Sequence, residues 1–372
     1  LYNRCLEADK VIYGIDHPDT LITLGSLALL FIDKGNFKKA KSLYNELLKK
    51  QEKILGSNHP NIGITINNLG RLYHDMEELE KAEKFYRKSV EQDKKLLGSD
   101  HPSTLISLGN LALLLNDKGD FKNAESLYTS VRDVQERTIG NKHPDTLITI
   151  INLGSLYHNI EEFEKAKTLY LRAIKGYQNI GGSNNQGLID ANDKLSELYC
   201  DMDNYVEAIN TYKILIKLKS EKIGPQDYDT LVSVNDLGVA YLNIRDYINA
   251  EKSFIKVLNG YNKILDEDDE DVLTTLYNLA QTYYADNNHK KAIDKFEILI
   301  GIQEKKMGYN HLETLFSINN LAIILFSVEN YKKAELLFSR VTKGYEKTLG
   351  TDHPDTIKAF KNFVSVRNSL RN

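Results

Sequence analysis

A His-Pro dipeptide returns every 42 residues, at His17-Pro18, His59-Pro60, His101-Pro102, His143-Pro144 and His353-Pro354. Between the fourth and the last, the same register is held by Asn185-Gln186, Asp227-Tyr228, Asp269-Glu270 and His311-Leu312, which gives nine marks at equal spacing with no insertion. A self-similar period of roughly 20 to 50 residues belongs to stacked arrays in which each unit packs only on its neighbours. The period overrides the two or three globular domains that 372 residues would otherwise suggest. It predicts one extended solenoid over residues 1–372.

The first full unit, Asp16 to Asn58, reads as two helices. Pro18 suits the first helical position, where a missing N–H costs nothing, and Asp19 meets the positive end of the helix dipole. Leu21, Leu24, Leu27, Ala28 and Phe31 then fall on one helical face. Gly35 breaks that helix, since glycine accepts the left-handed conformation of a C-cap. A second apolar pattern, Phe37, Ala40, Tyr44, Leu47, Leu48, Ile54 and Leu55, ends at Gly56. Repeated down the chain, this predicts an all-α protein. Residues 1–14 are the end of a preceding second helix, 15–351 eight hairpins of 42 residues, and 352–372 a terminal capping helix with a polar end.

The columns hold from unit to unit. Leu27 recurs as Leu69, Leu111, Leu153, Leu195, Leu237, Leu279 and Leu321, each followed by Ala, Gly or Ser. On the second helix Ala40 recurs without exception as far as Ala334, and four residues later stands Tyr or Phe, from Tyr44 to Phe338. Small residues let two helix axes approach and the aromatics fill the space beside them, so these columns are structural and none is a cofactor box. Units one and three are near twins, as are two and four; this 84-residue superperiod suggests duplication of a two-hairpin unit. The glycine-rich Gly181–Gly187 turn lacks the His-Pro start and is expected to be the most mobile joint. The six acids Asp266–Asp271 lack a calcium-ligand loop and read as a solvated turn.

The pattern Leu-Ala/Gly-x-x-Tyr followed by Ala-x-x-x-Tyr/Phe resembles the tetratricopeptide repeat. The 42-residue form, with Leu97-Gly98-Ser99-Asp100-His101-Pro102-Ser103-Thr104 and Leu349-Gly350-Thr351-Asp352-His353-Pro354-Asp355-Thr356 between units, resembles the kinesin light chain type. The resemblance covers essentially the whole chain. It implies a right-handed superhelix of helical hairpins whose inner wall is made by the first helices, and a role in binding other proteins.

On that wall, just before the Leu column, stand Ser26, Asn68, Asn110, Asn152, Lys194, Asp236, Asn278, Asn320 and Asn362. Asparagine both donates and accepts, so such a ladder could grip the backbone of an extended peptide; alternatively these side chains bond to the neighbouring hairpin. Arg71, His74, Asn116, Ser155, His158, Glu197, Gln281, Tyr284 and Phe326, one turn along, would set specificity. Upstream lie Ile22, Ile64, Ile106, Ile148, Val232 and Phe316, which make the first half of the groove apolar. Peptide contacts are therefore expected at Asn68, Arg71, His74, Asn110, Asn116, Asn152, Ser155, His158, Asn278, Gln281 and Asn320, with an apolar or mixed segment between Asn68 and Asn152. Some tetratricopeptide domains clamp a chaperone's C-terminal carboxylate with clustered basic residues. Here Arg71 and Lys194 stand apart, so that ligand is not expected.

The 48 basic and 52 acidic residues are interspersed, for a net charge of −4, which lacks the basic footprint of nucleic-acid binding. Cys5 and Cys200 make no disulfide framework and point to a reducing, cytoplasmic setting. No apolar run approaches a membrane span, so no membrane insertion is expected. The chain starts at Leu1 in mid-repeat and is expected to be a piece of a longer protein. Six of nine histidines sit in the turn register, too far apart to share a zinc ion whose ligands lie about 2 Å away. No phosphate loop, Cys-x-x-Cys, His-Glu-x-x-His or Gly-x-Ser-x-Gly is present. The expectation is a non-catalytic scaffold, without cofactor or metal, for protein or peptide ligands. Two rivals are a kinesin light chain-like cargo adaptor with the kinesin heavy chain as partner, and the sensor region of a signalling NTPase joined in cis or trans.

Overall fold

The computed structural model describes residues 2–56, 59–181 and 186–371, and among them the only regular elements are helices. The chain forms two compact units, residues 1–181 and 182–372. In unit 1, α1 (Tyr2–Ile12) is followed by the hairpins α2 (Pro18–Asp33)/α3 (Phe37–Leu55), α4 (Pro60–Asp75)/α5 (Leu79–Leu97), α6 (Pro102–Asp117)/α7 (Phe121–Thr138) and α8 (Pro144–Asn159)/α9 (Phe163–Ile180). Unit 2 has α10 (Gln186–Asp201)/α11 (Tyr205–Lys222), α12 (Tyr228–Asn243)/α13 (Tyr247–Tyr261), α14 (Glu270–Ala285)/α15 (His289–Lys306) and α16 (Leu312–Ser327)/α17 (Tyr331–Leu349), then α18 (Pro354–Ser369). Residues 182–185 of the glycine-rich turn expected to be the mobile joint lie outside the described residues.

The His-Pro mark is a helix start. His101 is the N-cap of α6, its Nδ1 accepting the Ser103 N–H at 3.2 Å, while Pro102 occupies the first helical position. His17, His59, His143 and His353 cap in the same way. Asp227 and Asp269 replace the imidazole with a carboxylate and accept at 3.0 Å. The threonine two residues after the proline closes the turn: Thr104 Oγ1 donates to the Gly98 carbonyl at 2.8 Å, and Thr20, Thr146, Thr230 and Thr356 repeat the bond. Glycine is required at Gly98, where φ is 91°.

Within each hairpin the first helix ends in a Schellman motif. In the first, the Asn36 N–H bonds to the Phe31 carbonyl and the Gly35 N–H to that of Ile32, both at 2.8 Å, with Gly35 left-handed. The same position carries non-glycine residues in six other hairpins, Glu77, Glu161, Asp203, Arg245, Asn287 and Glu329, all with φ between 55° and 62°. Glycine is thus the exception in a column that the turn geometry holds left-handed throughout.

The alanine column is fully buried from Ala40 to Ala334, and the aromatics four residues on are buried beside it. Close approach is most explicit at Gly70. A Cβ there would lie 2.6 Å from Cδ1 of Tyr86, and Gly154 faces Tyr170 and Gly238 faces Phe254 in the same way. Each unit has its own core of these columns. On α18, Phe363 is half-buried and Val364 exposed, where earlier units bury both positions.

Candidate functional site

A second line of contacts runs beneath the first-helix wall. In unit 1, Thr65 Oγ1 donates to Gln51 Oε1 at 2.7 Å, Ser107 Oγ to Asp93 Oδ2 at 2.8 Å, and Thr149 Oγ1 to Gln135 Oε1 at 2.8 Å. In each case the second helix of one hairpin meets the first helix of the next, 14 residues on, and all six side chains are buried. Thr23 to Asp9 opens the series in unit 1, and Lys219 to Ser233 at 2.9 Å repeats it in unit 2. Where the first member is Tyr345, the second is Ala359, a large-for-small exchange in the same register. This polar seam fixes the offset between consecutive hairpins, and with it the spacing of whatever the first helices present.

In unit 1 those helices present an apolar column. Ile22, Ile64, Ile106 and Ile148 are 62%, 53%, 57% and 49% exposed, on a face where a merely structural column would be covered. One helical turn further stand Asn68, Asn110 and Asn152, each half-buried. Asn110 donates to Asn67 of the preceding hairpin's first helix at 3.3 Å, so its donor is engaged within the chain. The amides of Asn68 and Asn152 make no hydrogen bond among the described residues, and in unit 2 the same holds for Asn278, while Asn320 Nδ2 donates to its own helix at Phe316.

Of the side chains one turn along, Arg71 pairs with Asp33 at 3.0 Å and with Asp75 at 3.6 Å. His74 Nε2 lies 2.9 Å from Asp117. Asn116 is buried, donating to Asp117 and accepting from Asn159. Ser155 accepts the Tyr170 hydroxyl at 3.0 Å, and His158 packs edge-on to Phe163. Gln281 donates to the Tyr277 hydroxyl at 3.0 Å. Asn68, Arg71 and His74 thus stand on α4, Asn110 on α6, and Asn152, Ser155 and His158 on α8, the last two turned to α9, with Asn116 of α6 buried. Asn278, Gln281 and Asn320 belong to unit 2.

A cavity of about 550 Å³ opens between α2, α3 and α4, lined by Leu21, Ile22, Leu29, Ile54, Leu55 and Ile64, with Asn68 at its edge. Its floor is the Gln51–Thr65 bond. The opening depends on Gly25, which lines it. Equivalent positions carry Asn67, Ile151 and Tyr277, of which Tyr277 lines a cavity in the corresponding place of unit 2. Gly109 stands at the same position in the twin unit, with no atom within 4 Å of where its Cβ would be. Neither the two glycines nor the polar seam follows from the apolar columns. The seam does recur in the sequence: Thr65, Ser107 and Thr149 stand 42 residues apart, each 14 residues after Gln51, Asp93 or Gln135.

In unit 2, α10 carries Asp190 where unit 1 has isoleucine and α12 carries Asp236 where it has asparagine, while α14 and α16 keep Asn278 and Asn320. Burial, reinforced by Asp193, pushes the Asp236 carboxyl up to about 6. Asp193 itself is raised by burial, against the Lys219 ammonium 3.6 Å away. No group of metal-binding side chains occurs among the described residues, and no helix of those described is long and apolar enough to cross a membrane.

Two tetratricopeptide-repeat models match the chain, one over residues 1–53, 27–95, 62–131, 103–179 and 232–305, the other over 314–355. No curated protein matches it. Among solved structures, it resembles nearly identical repeats described as kinesin light chain from Podosopora anserina, with a TM-score of 0.51 and 21% identity over 56% of this chain and 98% of that one. It also resembles a signal-transduction ATPase with a tetratricopeptide repeat sensor from Pyrococcus horikoshii, with a TM-score of 0.64 and 15% identity over 98% of this chain and 51% of that one. The apo form of RapI gives a TM-score of 0.62 at 12% identity over 94% and 98%. At these identities the structures speak to the fold, an all-α solenoid. The family models cover more than half of the chain, and the capped, seamed, 42-residue hairpins carry their columns: this protein belongs to the tetratricopeptide repeat family.

Proposed function

We propose that the chain is a non-catalytic protein-interaction scaffold whose first unit holds an extended, apolar or mixed peptide across α4, α6 and α8, between Asn68 and Asn152. The observation that carries this reading is the exposed isoleucine column beside half-buried asparagines, two of which have both amide groups unengaged within the described chain. Those amides pair with the N–H and C=O of a peptide backbone whatever its side chains. The Gly25 cavity receives one apolar side chain, whose burial contributes about 1.5–3 kcal/mol. Arg71, His74, Ser155 and His158 flank the path, and Asn278, Gln281 and Asn320 offer a comparable but more acidic path in unit 2.

Peptides selected from a random display library against the whole chain test this by calorimetry. The combined Asn68→Ala, Asn110→Ala and Asn152→Ala variant is expected to lose about tenfold or more in affinity, since each amide contributes roughly 1 kcal/mol. Unchanged affinity in a folded triple variant would falsify the ladder. The narrower readings, a cargo adaptor like kinesin light chain and the sensor of a signalling NTPase, differ in what adjoins the repeats. Heptads in the neighbouring coding sequence favour the first, and a Gly-x-x-x-x-Gly-Lys-Ser/Thr loop the second.

A further inference from the structure

We propose that unit 2 carries a pocket for an arginine side chain, presented by a segment of a protein partner, between α14, α15 and α16. The inference is independent of the groove in unit 1. A cavity of about 350 Å³ lies there, in the same register as the Gly25 cavity but with different chemistry.

Its floor is an unmade bond. In four other hairpin pairs a buried amide, carboxylate or ammonium meets the hydroxyl 14 residues on, as Gln51 meets Thr65. Here the pair is Gln303 and Ser317, and that bond is absent. Gln303 is only 6% exposed, it lines the cavity, and its amide oxygen has no partner. An orphaned buried acceptor costs about 1–3 kcal/mol, and this one belongs to a side chain that lines the cavity. A ligand donor relieves that cost.

The walls and rim say what kind of donor. Tyr277 and Phe316 stand with ring centroids 5.9 Å apart and planes 32° from parallel, both lining the cavity. Planar guanidinium groups stack on such faces, and their alkyl stems cover apolar surface. At the rim, Glu270 and Glu313 make no ion pair among the described residues. The one basic rim group, Lys306, is turned to the Asp268 carbonyl in the acidic turn. Glu270 is part of the acidic run Asp266–Asp271, and with Glu313 it makes the mouth negative. A cation with several donors and a flat face satisfies floor, walls and rim together. In unit 1 the same register has a closed floor and the neutral residues Pro18 and Asn61 in place of Glu270 and Glu313.

Methionine methyl NMR reads the pocket directly. Of three methionines, Met307 lines the cavity, while Met76 and Met202 do not. Titrating the whole, ¹³C-methyl-methionine-labelled chain with acetyl-Gly-Arg-Gly-amide is expected to move Met307 alone, saturably, and less at high salt. The citrulline peptide, isosteric but neutral, is expected to bind about tenfold or more weakly, since it lacks the charge-assisted bonds. Glu313→Gln on the exposed rim and Gln303→Leu in the floor should each weaken arginine binding severalfold, with unshifted Met76 and Met202 signals reporting an intact fold. A static Met307, equal binding of the citrulline or lysine peptide, or no effect of Glu313→Gln overturns the proposal. Tighter binding of free arginine than of the peptide overturns the assignment to a partner segment.

Discussion

At the scale of single residues, two columns carry strain that substitution should release. Glu77, Glu161 and Glu329 adopt the left-handed conformation that Gly35 adopts freely. That conformation costs a residue with a Cβ about 1–2 kcal/mol, part of which glycine gives back as unfolded-state entropy. Glu161→Gly is therefore expected to raise stability by about 0.5–1 kcal/mol in urea melts, and a loss would show that the Glu161 side chain has a role the turn geometry does not reveal. Tyr44 and Tyr128 are buried with hydroxyls that lack a partner, and burial pushes the Tyr44 phenol up to about 12. The equivalent residues Phe254, Phe296 and Phe338 have no hydroxyl to satisfy. Tyr44→Phe and Tyr128→Phe should each be neutral to about 1 kcal/mol stabilising, and a drop in melting temperature in either would mean that ordered water satisfies the group. The aromatic column was legible from spacing alone. Its unsatisfied hydroxyls were not, because satisfaction depends on which atoms of other helices lie within 3.5 Å.

At the scale of helices and hairpins, the polar seam decides how one hairpin sits on the next. Ser107→Ala removes the nearer donor to a buried Asp93 carboxylate and leaves Ser89 at 3.5 Å. The expected cost is about 2 kcal/mol, whereas Ser107→Thr, which copies Thr65 and Thr149, should cost under about 0.5 kcal/mol. Similar melting points for the two variants would show that packing, and not the bond, sets the hairpin offset. The helices themselves were read correctly from Pro18, Gly35 and Gly56, because caps and breakers act within one turn of the chain. The seam joins residues 14 apart through two different helices, and a reading of single-helix faces does not pair them.

At the scale of the molecule, each unit has its own core, and stability in such arrays is a sum of units and nearest-neighbour interfaces. Residues 1–181 expressed alone should fold as a cooperative helical protein that keeps the affinity of the whole chain for groove peptides. A chain that stays unfolded by circular dichroism would show that unit 1 depends on unit 2. Unit 2 should also report its buried acids. Asp236 binds its proton more tightly in the folded state, about 6 against an ordinary 3.8, with Asp193, Glu197, Lys219 and Asn235 around it. Its contribution is thus fully present below about pH 4 and is lost as the pH rises through about 6. Asp236→Asn should stabilise unit 2 by about 2 kcal/mol at pH 7 and little at pH 4. An equal gain at both would remove the carboxyl as the cause.

By itself the sequence determined the repeat, the helices and the family, because period, caps, breakers and packing columns are local or strictly periodic and survive without coordinates. The placement of Asn68, Asn110 and Asn152 on one wall beside Ile64, Ile106 and Ile148 followed from the same 42-residue register. Only the tertiary structure decided which members of those columns are engaged. Asn110 turns to Asn67 while Asn68 does not, Gly25 lines one cavity and Tyr277 another, and Gln303 is left with no partner where Gln51 has one. These outcomes depend on distances between side chains of different helices, where a few tenths of an ångström separate a bond from a vacancy, and a periodic pattern treats all copies of a column alike.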